Sequence, residues 1–232
     1  MPVKIWKAPQ PRSPFAPNWA VPMFVGHWAS PQGVQETRDL ILAKEDELKS
    51  QFDPVPISGI TDGLTSRWHA FNVFTWPEAP MRAMAEFVTT SYREYLAHLK
   101  IDRSRAYIQG WANVLRESEK LTPHAHDLTE RSYLSGNLCL SAENTETIYY
   151  PPYVYGAELK PEQTLGLKNQ PGNLVLFPSS VFHETSPNLT GEPRVTIGFD
   201  VFLDDADSQG RRAGEGRHIL FDDPVGPDRM SA

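Results

Sequence analysis

Gly172 to Phe202 reads GNLVLFPSSVFHETSPNLTGEPRVTIGFDVF, and the fold turns on how the two ends of this stretch alternate. An apolar strand at Leu174 to Phe177 leads to His183, and a turn rich in Ser, Pro, Asn and Gly then reverses the chain. The returning strand opens at Arg194. Alternation sends Val195, Ile197, Phe199, Val201 and Leu203 to one face and Arg194, Thr196 and Gly198 to the other. The wholly apolar face must pack against something. The opposite face then looks into the interior, where Thr and Gly leave room around the arginine. A buried guanidinium requires an anion, because an unpaired buried charge is costly. Its planar fork suits a carboxylate bidentately, and Thr196 adds a hydroxyl. Either an internal Asp or Glu or an anionic ligand satisfies that demand.

Outward from this stretch, AYIQGWANVL, YLSGNLCLS and ETIYYPPYVY are further short β-rich runs between turn signals, all after Ala106. Several closely spaced strands without intervening helices predict an antiparallel sandwich or barrel such as a jelly roll. Upstream, two helices are expected. Val34 to Phe52 carries Leu40, Ile41 and Leu48 among charges, and Glu78 to Leu99 carries Met81, Met84, Phe87, Val88, Tyr92 and Tyr95 at helical intervals. Those stripes read as core, and the helices are the natural cover for the apolar face of the Arg194 strand. DGLTSRWHAFNVF between them reads as a loop over the domain edge, with His69 a structural residue beside Trp68. The chain thus divides into a Pro-rich arm (1–33) wrapping the domain, with a short strand at Val21 to Val25, a helical buttress (34–104), a β core (105–203) and a polar C-terminal extension (204–232) that contains an apolar island at Ile219 to Phe221.

With 232 residues, 40% of them hydrophobic, the chain can bury one sizeable core. A net charge of −7 disfavours a general nucleic-acid partner, which would need a basic surface. The lone Cys139, flanked by leucines, excludes an intramolecular disulfide and reads as a buried strand residue. No apolar run approaches a membrane span, and the first residues lack the apolar segment of a secretory signal, so a cytoplasmic setting is expected.

His124 and His126 stand in PHAHD at the start of the β-rich half. Residues i and i+2 of an extended segment share a face, so both imidazoles can meet one cation, while Asp127 points away. Taken alone, the pair is a weak signal, and two surface histidines near a loop are the plain alternative. A third histidine, His183, stands far along the chain.

The His pair, the later His and an Arg beyond it resemble the iron and 2-oxoglutarate oxygenase superfamily. More closely, WANVLRESEKLTPHAHDLTERSYLSGNL and LVLFPSSVFHETSPNLTGEPRVTIGFDVF resemble its bacterial and phage branch, across Trp111 to Phe202. The resemblance implies a mainly β fold with added α: a double-stranded β-helix (jelly roll, cupin-like) buttressed by the N-terminal helices. It implies Fe(II) bound by His124 and His183, with His126 where the superfamily's usual two-His-one-carboxylate triad has its acid. It also implies 2-oxoglutarate as cosubstrate, its distal carboxylate held by Arg194 with Thr196. Asn113 and Ser135, in strands beside the motif, are candidates for cosubstrate contact or ordinary strand donors. The activity implied is hydroxylation of a substrate C–H, coupled to conversion of 2-oxoglutarate to succinate and carbon dioxide.

The His126 departure keeps other readings open. Three imidazoles also occur in cupin-like metalloenzymes that use no 2-oxoglutarate, and they can hold zinc for hydrolytic or lyase chemistry. A non-catalytic binding module on the same fold is a third class. The substrate, a small molecule or a peptide, is not specified by the sequence.

Overall fold

The computed structural model describes residues 2–102, 106–152, 163–203 and 219–221. Two antiparallel sheets are built from β1 (Val3–Lys7), β2 (Ala20–His27), β3 (Tyr107–Leu115), β4 (Leu134–Ser141), β5 (Glu146–Tyr149), β6 (Leu165–Lys168), β7 (Asn173–Pro178), β8 (His183–Thr185), β9 (Arg194–Phe202) and β10 (Ile219–Leu220). The large sheet runs β1-β2-β7-β4-β9-β3-β10 and the small one β6-β5-β8. From β4 to β9 the chain passes back and forth between them, with β4, β7 and β9 in one and β5, β6 and β8 in the other, which is a jelly-roll path.

Helices α1 (Pro31–Gln51) and α2 (Ala79–Leu99) cover the outer face of the large sheet. α1 begins earlier than the apolar periodicity suggests because Ser30 caps it, its side chain accepting from Gly33 N at 3.2 Å, with Pro31 in the first turn. Thr37, Ile41, Glu45 and Leu48 are buried at helical spacing, while Leu40 is only partly buried. In α2 the stripe of Met81, Met84, Val88, Tyr92 and Tyr95 is buried, and Phe87 stacks on Trp28 with centroids 5.8 Å apart. This face meets Val195, Ile197, Phe199 and Val201 of β9 in one hydrophobic core. Burying each such side chain stabilises the fold by about 1.5–3 kcal/mol relative to exposure.

The N-terminal stretch differs from a wrapping arm. β2 pairs with β7 over Phe24 to His27, and β1 pairs with β2, so both strands extend the large sheet. Pro22 lies beyond the stretch paired with β7, where that neighbour asks no donor of it. A second core fills the space between the sheets, with Val21, Met23, Tyr149, Phe177 and Val181. The loop before α2 packs onto β3 where Gly110 has no side chain. Asn72 donates from its side-chain nitrogen to Ile108 O (3.0 Å) and accepts from Gly110 N (3.0 Å). β5 stops at Tyr149, short of the longer run expected, and most of the polar C-terminal extension lies outside the described residues. Among the described residues no helix is long and apolar enough to cross a membrane.

Candidate metal centre

His124, His126 and His183 each offer a ligand atom, and the three atoms lie within 4.8 Å of one another. Their placement is a backbone matter first. His124 and His183 exchange both backbone hydrogen bonds (His124 N to His183 O, 3.0 Å; His183 N to His124 O, 2.9 Å). His126 N donates to Ser179 O at 3.0 Å, tying the other end of the motif to the turn before β8. The rings of His124 and His126 are nearly parallel at 5.4 Å, as i and i+2 positions of an extended segment require.

Each ring has an acceptor at Nδ1. For His124 it is Thr122 O at 2.7 Å, for His183 it is Val181 O at 3.1 Å, and for His126 it is Asp200 Oδ1 at 2.5 Å. With Nδ1 carrying the proton, Nε2 is left as the lone-pair donor on all three. Burial, reinforced by the neighbouring His126, pushes His124 down to about 4. Burial and both neighbouring histidines push His183 well below the usual imidazole range. Both rings are therefore neutral at pH 7, the state in which imidazole binds a metal. Asp127 stays outside the cluster, its carboxylate accepting from Thr129 N at 2.8 Å.

The histidines open onto a cavity of about 460 Å³ whose apolar wall includes Ile57, Trp68, Trp111, Leu121 and Phe177. Gly198 leaves room, as alternation suggests, but the room belongs to Trp111: a Cβ at Gly198 would meet the indole at 3.0 Å.

Arg194 is 1% exposed. Its Nη2 reaches Thr147 Oγ1 at 3.5 Å and, with the Asn169 amide turned to satisfy its neighbours, the Asn169 side-chain oxygen at 3.2 Å. Nε and Nη1 are buried with no hydrogen-bond partner among the described residues, and so is the Tyr149 hydroxyl. Among the described residues no carboxylate takes up the charge, and burial pulls the guanidinium down to about 10. Tyr149 sits within the electrostatic reach of Arg194 on one side and stacks on His183 at 5.8 Å on the other. Thr196 accepts from Asn113 Nδ2 at 3.3 Å, and Asn113 Oδ1 accepts from Thr65 Oγ1 at 2.5 Å, so both polar groups of the Asn113 amide are engaged by neighbouring residues. Ser135 lies behind His126, its hydroxyl 2.6 Å from Asp200 Oδ1 and 3.0 Å from Ser179 Oγ. Tyr149 and Asp200 escaped the sequence reading. The first was one of several tyrosines in ETIYYPPYVY, and the second continues the Arg194, Thr196, Gly198 face by one more step.

Solved structures share this architecture. A prolyl-4-hydroxylase of Pseudomonas putida is 13% identical with a TM-score of 0.54, over 78% of this chain and 92% of that one. A prolyl hydroxylase from Trichoplax adhaerens, in complex with a hypoxia inducible factor oxygen degradation domain peptide fragment, is 10% identical with a TM-score of 0.54, over 82% and 87%. The epimerase SnoN from nogalamycin biosynthesis, in complex with Fe3+, alpha ketoglutarate and nogalamycin RO, is 15% identical with a TM-score of 0.52, over 85% and 91%. At these identities the likeness establishes the fold, a jelly roll of the kind found in iron- and 2-oxoglutarate-dependent oxygenases. No curated protein matches the sequence. Residues 109–200 match the family model described as "Putative 2OG-Fe(II) oxygenase", and the resemblance drawn from the motifs is borne out at that level.

Proposed function

We propose that the protein is a 2-oxoglutarate-dependent hydroxylase whose Fe(II) is held by Nε2 of His124, His126 and His183 and whose cosubstrate is held by Arg194, Tyr149 and Thr196. The observation that carries this reading is the pair of guanidinium nitrogens on buried Arg194, and the Tyr149 hydroxyl one ring away from His183, that have no partner among the described residues. A buried fork without an anion among the described residues fits a dicarboxylate. The three imidazoles fit ferrous iron by donor type and mutual spacing.

When bound, iron and 2-oxoglutarate supply oxygen activation coupled to decarboxylation, with succinate, carbon dioxide and a hydroxylated substrate as products. The chain's own part is binding, orientation and exclusion of water. Thr122 O, Val181 O and Asp200 fix the histidine tautomers. Arg194 and Tyr149 donate to the distal carboxylate, and Thr196, whose oxygen accepts from Asn113, keeps its own proton to donate. Trp68, Trp111 and Leu121 wall the cavity in which a small molecule or an extended peptide residue would present its C–H bond. A buried single cysteine suits a reducing compartment such as the cytoplasm.

Anaerobic titration of the iron-loaded protein with 2-oxoglutarate tests the reading through its metal-to-ligand charge-transfer band. Arg194→Lys should weaken 2-oxoglutarate binding by about 1–3 kcal/mol, because the bidentate fork is lost, and leave iron affinity unchanged. A wild-type protein that binds iron but shows no band and forms no succinate would instead be a three-His cupin-like metalloenzyme.

A further inference from the structure

We infer that Asp200 is the anionic positioning residue of the metal centre, supplying from behind His126 the negative charge that a carboxylate ligand supplies elsewhere. The inference rests on the metal-centre reading above and gives Asp200, which there only fixes a tautomer, an electrostatic role.

The three Nδ1 acceptors are not alike. His124 and His183 each use the carbonyl two residues before them, Thr122 O and Val181 O. The corresponding carbonyl for His126 is His124 O, and that atom already accepts from His183 N at 2.9 Å. Among the described residues His126 Nδ1 makes no bond to that carbonyl, and β9 provides its acceptor at 2.5 Å in the form of a carboxylate. The carboxylate is itself held. Asp200 stands opposite Ser135 in the β4–β9 ladder, and the Ser135 hydroxyl donates to the same Oδ1 at 2.6 Å. The Ser135 hydroxyl also lies 3.0 Å from Ser179 Oγ, and Ser179 anchors His126 through its carbonyl. Asp200 and His126 are 14% and 9% exposed at their side chains, so solvent does little to weaken the contact.

Three neutral imidazoles leave a divalent ion one charge richer than two imidazoles and a carboxylate would. A carboxylate on Nδ1 draws the proton toward itself and makes Nε2 a stronger donor, which returns part of that charge through the ring. His126 with Asp200 then acts as the acid of the usual triad, extended by one imidazole.

The test measures Fe(II) and Co(II) affinity by chelator competition, together with the Fe(III)/Fe(II) potential. Asp200→Asn should lower affinity about 10–100-fold and raise the potential. Asp200→Glu, which keeps the charge, should stay closer to wild type, and the small neutral Asp200→Ser should repeat the loss if the amide variant does not fold. In a His126→Asp background the sign should invert. There the acid sits on the metal, Asp200 repels it, and adding Asp200→Asn should tighten binding. Unchanged affinity in Asp200→Asn, or an equal loss in both backgrounds, overturns the inference. A wild-type protein that holds neither ion overturns the metal-centre reading, and this inference with it.

Discussion

The inward face of β9 starts at Arg194 and reaches Asp200, and the fold treats these two charges in opposite ways. Asp200 is used by the protein: its carboxylate accepts from a histidine ring and a serine hydroxyl. Arg194 is the more deeply buried of the two, yet two of its three nitrogens and the neighbouring Tyr149 hydroxyl have no partner among the described residues. One charge organises its surroundings, and on the proposed reading the other is left for the cosubstrate. Buried polar groups are normally satisfied, so an unsatisfied one marks a place where stability has been given up for binding.

The contrast can be broken most directly at Arg194. Arg194→Met should reduce 2-oxoglutarate affinity by about 3–5 kcal/mol, the scale for deleting one member of a buried ion pair, while the ligand-free protein keeps or gains stability because the uncompensated charge has gone. Calorimetric titration and thermal unfolding on the same sample check both halves; a large loss of ligand-free stability would mean that Arg194 is structural. At the other end, Asp200→Leu should lower the stability of the metal-free protein by about 1–3 kcal/mol, since His126 Nδ1 and Ser135 lose their common acceptor, as denaturant unfolding would record. Tyr149→Phe sharpens the comparison more gently. Its hydroxyl has no partner to lose, so stability should hold, and 2-oxoglutarate affinity should drop by about 1 kcal/mol in the same titration. The smallest effect is expected at Asp127→Ala. That carboxylate caps a turn at Thr129 N, so metal affinity measured by chelator competition should stay within about tenfold of wild type.

The division of labour along β9 was half legible beforehand. Alternation put Val195 to Val201 against the helices and Arg194 and Thr196 inside, and both placements follow from period two alone. The same rule reaches Asp200, but an acid between Phe199 and Val201 announces no partner, because the partner is His126, far off in sequence and held in place by its backbone bond to Ser179 O. Tyr149 was hidden by its neighbours, since nothing local separates it from Tyr150. Ser135 and Asn113 were visible as polar residues in apolar strands, but alternation could not say that their side chains would be engaged by Asp200 and Thr65. In the fold, β6 and β8 are too short to show a period, and the prolines around β2 argued for an arm where the sheet in fact gains two strands.

The backbone bridge between His124 and His183 bears on how the site is loaded. Two of the three imidazoles are spaced by main-chain hydrogen bonds and not by a shared ion alone, unlike small domains in which the metal itself drives folding. Loading should therefore be a docking event with little rearrangement. Iron should be strippable by a chelator and replaceable with cobalt or nickel in the folded protein, and the amide protons of His124 and His183, held in that bridge, should exchange slowly throughout the swap.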